Sequence, residues 1–196
     1  MLVSRESSLP APYDLEQIPR LSVVVAYEDV ECGKHAQATC DFLEERLGGE
    51  FVVENQMWKF DALAVPALRE AAARDAALAD LIFLSCRGTG ELPIDVKAWT
   101  ELWLGGQSSA FALVGLFDQA NRGAAHVREI QHYLHSVATR AGMEFFAQPD
   151  VWPDNPEALA RLAAGAVGGL PELDVAVQVA AVPTRNVNVG HWGLNE

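Results

Sequence analysis

The stretch DLIFLSCRGTGELPIDVKAWTELWL, residues 80–104, decides the fold of this chain. Residues 81–84 form a continuous apolar run, the pattern of a strand buried on both faces. Gly88 and Gly90 then let the backbone turn sharply, and Pro93 suits the first turn of a helix, where its missing N–H is not needed. Behind it Val96, Trp99 and Trp103 fall at i, i+3 and i+7, one helical face. The stretch reads as strand, glycine loop, helix. In open α/β sheets such a turn lies at the carboxyl edge, where ligands bind.

The same unit recurs on either side. LSVVVAY, residues 21–27, is a buried strand, followed by the polar loop 28–33 and a helix with Ala36, Cys40, Leu43 and Leu47 on its inner face, closed by Gly48 and Gly49. Residues 51–58 read as a second strand, and Pro66 opens an alanine-rich helix whose apolar face includes Leu68, Ala72 and Leu78. SAFALVGLF, residues 109–117, is a fourth strand, with a helix after it marked by Val127, Ile130, Leu134, Val137 and Ala141. MEFFA, from Met143, is the fifth strand, and a short helix follows Pro156. Regular alternation of strand and helix predicts a doubly wound α/β domain, a five-stranded parallel sheet of order 2-1-3-4-5 with helices on both faces.

Residues 1–20, with Pro10, Pro12 and Pro19 and no period, read as an irregular N-terminal arm; residues 21–169 form the domain; residues 170–196 are a C-terminal tail. Within the tail DVAVQVAAV, residues 174–182, alternates well enough for an extra strand. Its apolar face, with Trp192 beyond it, suggests a homodimer made through the tail, the competing reading being an arm that wraps its own domain.

The chain has 196 residues and a formal net charge of −13, so it can bury a sizeable core, and nucleic acid and anionic membrane surfaces are unfavourable partners. Three cysteines make no disulfide framework, the N-terminus lacks the apolar core of a signal peptide, and no apolar run approaches a membrane span. A cytoplasmic location is expected.

SCRGTGELP, residues 85–93, resembles the flavin loop of flavodoxins and of the flavodoxin domains of diflavin reductases, with its Ser/Thr, Gly, Gly, Glu, Pro pattern. The strand SAFALVGLFD is similar to the one that precedes their second flavin loop, with Asp118 at the matching position. The resemblance implies the flavodoxin-like topology over residues 21–146, and FMN as a cofactor held by Ser85, Arg87, Gly88, Thr89 and Gly90. Three departures argue against the flavin. Where flavodoxins cradle the phosphate with hydroxyls and backbone N–H groups, this chain has EDVECGK, residues 28–34, with Glu28, Asp29 and Glu31 and no Ser or Thr. A phosphate dianion among carboxylates is repelled by about 1 kcal/mol per contact pair in water, and Lys34 with the helix N-terminus offsets only part of that. Arg87 stands where an aromatic often stacks on the ring, and DQANRGAAH, residues 118–126, contains no aromatic. The expectation is a flavin-free binding or interaction module for a small ligand or a protein, with an FMN-dependent electron carrier or reductase as the alternative.

The cleft residues expected at the carboxyl edge are Glu28, Asp29, Glu31, Cys32, Lys34, Cys86, Glu91 and Asp118. Oxygen-only clusters suit a divalent cation, Mg²⁺ or Ca²⁺; the plainer reading has these acids capping helices and pairing with Lys34, Arg87 or Lys97. The acid pair after the first strand is also similar to that of response-regulator receivers, but Ser85 and Cys86 replace the Asp such a site needs, and Gln148 replaces its Lys. Cys32 and Cys86 end neighbouring strands, so a thiol pair beside His35 competes with two inert buried cysteines. His126, His132 and His135 share a helix without an i, i+4 pair, which favours a solvated face over a zinc site. Trp58 and Phe60 either wall the cleft or cover the sheet edge. GxSxG, HExxH, GxxxxGK[ST] and CxxC are absent, so no catalytic residue is assigned.

Overall fold

The computed structural model describes residues 19–47, 51–106, 108–121 and 123–147. The Gly48–Gly49 stop, the helix after Pro156, Gln148 and the C-terminal tail with its proposed strand and Trp192 lie outside the described residues, as does most of the N-terminal arm.

Five strands, β1 (Arg20–Tyr27), β2 (Val52–Lys59), β3 (Leu81–Cys86), β4 (Ala112–Phe117) and β5 (Glu144–Ala147), form one sheet in the order β2-β1-β3-β4-β5. Every pairing is parallel. The chain crosses between strands through α1 (Val30–Arg46), the single turn α2 (Phe60–Leu63), α3 (Pro66–Leu78), α4 (Ile94–Leu104) and α5 (Ala125–Ala141). β1 and β3 are neighbours, with Tyr27 opposite Ser85, so their carboxyl ends form the point where strand order reverses.

Burial follows the apolar runs. All six residues of β3 and of β4 are buried, as central parallel strands require, whereas edge strand β2 alternates between exposed and half-buried positions. One face packs Val24, Ile82, Leu84 and Leu113 with Val96, Trp99 and Trp103 of α4 and Val127, Ile130 and Leu134 of α5. The other packs Val23, Val25, Phe83 and Val114 with Ala36, Cys40 and Leu43 of α1. Among the described residues no helix is long and apolar enough to cross a membrane.

Several local expectations need correction. The buried face of α3 is Ala72, Ala73 and Ala76, while Leu68 and Leu78 are 41% and 79% exposed. α3 packs on α4, whose two indoles fill the shared space and leave room only for alanine methyls. β4 begins at Ala112 rather than Ser109, because the Ser109 hydroxyl is tied to the Ala77 and Ala79 carbonyls on the approach to the sheet. The turn α2 was not expected; it buries Phe60 and Leu63 under the end of β2.

Candidate functional site

Three loops meet at the carboxyl edge: residues 28–29 after β1, 87–93 after β3 and 118–121 after β4. Asp29 is the N-cap of α1, its Oδ1 accepting the Glu31 and Cys32 N–H groups at 3.0 Å each. Its Oδ2 accepts from Arg87 Nε. The Cys32 N–H, aided by the Arg87 guanidinium, holds the Asp29 carboxyl below the usual carboxylate range against some opposing desolvation. Glu28 Oε2 accepts the Arg87 backbone N–H at 2.7 Å, and Glu31 pairs with Lys34 at 2.9 Å. Asn121 closes the ring of loops, its Nδ2 donating to the Arg87 carbonyl at 3.1 Å and its N–H to the Asp118 carbonyl at 3.0 Å. Arg87 is therefore a clasp between all three loops.

Two concavities open beside the clasp. The larger, about 460 Å³, is bordered by Glu31, Cys32, His35, Arg87, Asp118 and Gln119. The smaller, about 110 Å³, lies over Phe60, Leu92 and Ile130, with Glu28, Thr89, Gly90 and Glu91 around it. Cys86 borders both. The volume of the first falls within the range of small-ligand sites, and that of the second is far below it.

The carboxylates do not converge. Asp29 and Glu28 turn to Arg87, and Asp118 Oδ1 accepts the Ala120 N–H at 3.0 Å. Among the described residues no three of His, Cys, Asp and Glu are grouped to hold a metal ion, so a shared cation site at Glu28, Asp29 and Asp118 is not formed. The thiols are not paired either. Ser85, buried, donates its hydroxyl to the Cys32 carbonyl at 2.9 Å and so faces α1; alternation along β3 then sends the Cys86 side chain, with Ile82 and Leu84, to the opposite face. Burial pushes the Cys32 thiol up to about 11 and the Cys86 thiol up to about 12, with Glu28 adding to the latter.

The remaining candidates sort themselves by packing. Phe60 walls the smaller cavity, whereas Trp58 packs against the core on the α3–α4 side and donates to Asp75 at 3.2 Å. Trp99 and Trp103 are core residues in edge contact, 6.0 Å between ring centres. His126 pairs with Glu129, and His135 meets Phe145 edge-on. Gly88 has φ of +72°, and a Cβ there would lie 2.3 Å from Val127 Cγ2, so the glycine loop is pressed onto the start of α5. Gln119 and Asn121 escaped the sequence reading, because a polar residue in a short loop has no periodicity to mark it.

An all-parallel sheet of order 2-1-3-4-5, wound by helices on both faces, settles the architecture. The fold is flavodoxin-like. No family model matches the chain, and none of the curated proteins matches it. Among solved structures it is similar to a short-chain flavodoxin associated with a non-canonical PDU bacterial microcompartment, at 14% identity, a TM-score of 0.47, and coverage of 76% of this chain and 97% of that one.

The residues of this flavodoxin-like edge do not fit a flavin phosphate. The α1 N–H groups that would receive an anion already bind Asp29, the Ser85 hydroxyl points inward to a carbonyl, and the loop carries the acids Glu28, Asp29 and Glu31.

Proposed function

We propose that this chain is a flavin-free binding module that works through the larger carboxyl-edge cleft. The observation that carries the reading is the closed circuit at Asp29: one carboxylate takes the Glu31 N–H, the Cys32 N–H and the Arg87 guanidinium together. An incoming phosphate would have to displace it while entering a loop of three acids. The cleft beside the circuit is open and of ligand size, and its walls are tied together by Asn121. Electron transfer through FMN is the competing activity, motivated by the glycine loop and its Thr89 and Gly90.

Titrating the purified full chain with FMN separates the two. The expected result is a colourless protein that leaves flavin fluorescence unquenched at micromolar concentrations of both. Stoichiometric uptake of FMN would overturn the flavin-free reading.

A further inference from the structure

We propose that the larger cleft binds a small zwitterion, its carboxylate held by Arg87 and its ammonium group by Asp118. The inference rests on the reading of that cleft as a binding site, and it names the ligand class.

The cleft carries one pole of each sign. Arg87 borders the cleft and meets Asp29 through Nε, a bond that uses one of the five N–H donors of its guanidinium. A guanidinium fork matches a carboxylate in two parallel hydrogen bonds. Asp118 stands on the neighbouring loop at the same cleft, exposed, with Oδ1 turned to the Ala120 N–H. Asn121 bonds both the Arg87 and the Asp118 carbonyls, which ties together the two loops that carry the poles.

Ligands of a single sign match this arrangement poorly. An anion would meet Arg87 but also Glu31 and Asp118, and a simple cation would meet those acids but offer Arg87 nothing beyond its bond to Asp29. A molecule with both charges satisfies each pole. A volume of about 460 Å³ leaves room for a side chain beyond the two charged groups.

The test is isothermal calorimetry on the full chain at neutral pH, using glycine and 4-aminobutyrate as zwitterions of short and long charge separation. Acetate and ethylamine serve as the single-charge controls. One zwitterion should bind at least about tenfold more tightly than either control, and Asp118→Asn and Arg87→Gln should each weaken it by about tenfold or more, as for a lost charged hydrogen bond. Because Arg87→Gln also opens the clasp, amide chemical shifts in the unaltered chain supply a second readout, with 118–121 and the residues around 87 expected to move. The proposal is overturned if neither zwitterion binds at tens of millimolar, if a control binds as well, or if Asp118→Asn leaves affinity unchanged. FMN uptake in the separate titration bears on the flavin-free reading; a chain that refuses both FMN and the zwitterions retains that reading and loses this one.

Discussion

Ser85 donates its buried hydroxyl to the carbonyl of Cys32 at 2.9 Å, tying the end of the third strand to the first turn of the first helix. The bond also fixes which face each residue at that strand end takes. Ser85→Ala removes the donor from a carbonyl that is cut off from solvent, so stability should fall by about 1 kcal/mol. Urea unfolding should show a lower midpoint with an unchanged slope. An unchanged midpoint would mean that the hydroxyl contributes nothing to the junction.

Gly88 is held by two independent constraints, a left-handed backbone and the methyl of Val127 at 2.3 Å from any added Cβ. Gly88→Ala should therefore cost about 2–4 kcal/mol, combining backbone strain with overpacking. Adding Val127→Ala in the same chain should relieve the steric part and leave the conformational part. The double variant should then lose less stability than the two single variants summed; strict additivity would show that the two side chains do not meet.

Residues 81–84 and 109–117 were legible as central strands because burial on both faces leaves an apolar run, although the second begins only at Ala112, and the order of the sheet follows from regular alternation with helices. The inner face of α3 was not. Leu68 and Leu78 look like core residues by spacing, yet the neighbouring α4 carries Trp99 and Trp103, and only knowledge of that contact tells that alanines must face it. The acids after β1 were legible as a group at the carboxyl edge, but not their partners. Arg87 reaches Asp29 across 58 positions of sequence and Asn121 reaches Arg87 across 34, distances at which no local pattern operates. The thiol pair was read from two neighbouring strand ends, yet Cys32 lies in the first turn of α1 and only Cys86 ends a strand, so strand adjacency says nothing of how the two side chains are placed.

Asp29 and Glu101 both have carboxyl groups held below their ordinary range, the first chiefly by the Cys32 N–H and the second by the bidentate Arg140 pair at 2.7 Å. A depressed folded-state pKa means stability that is fully present above the ordinary carboxylate range and is lost as pH falls through the folded value. Thermal stability should thus be flat from neutral pH down to about pH 5 and decline below about pH 4. Asp29→Asn keeps a good N-cap while removing the charge, so it should shrink that acid decline without abolishing it, Glu101 remaining. An acid limb identical to that of the unaltered chain would exclude Asp29 as a contributor.

Cys32, Cys40 and Cys86 are free and buried, at 7%, 2% and 2% exposure, with burial pushing their thiols up to about 11, 12 and 12. The thiolate is the reacting form, so at pH 8 all three should react with a disulfide reagent far more slowly than in urea, by about a hundredfold or more. Cys32 should lead, because it alone combines the least burial with a place on the larger cleft, and Cys32→Ser should remove the fastest phase. Cys40, on the buried face of α1, should react only on unfolding. The same shifts act on stability: a raised folded-state pKa leaves the contribution intact below the ordinary thiol value near about 8.5 and erodes it as pH climbs toward the folded values. Melting temperature should accordingly fall between about pH 9 and pH 11, and Cys40→Ala should flatten part of that fall. A native thiol that reacts at pH 8 as fast as free cysteine would contradict the packing of the helix or strand that carries it.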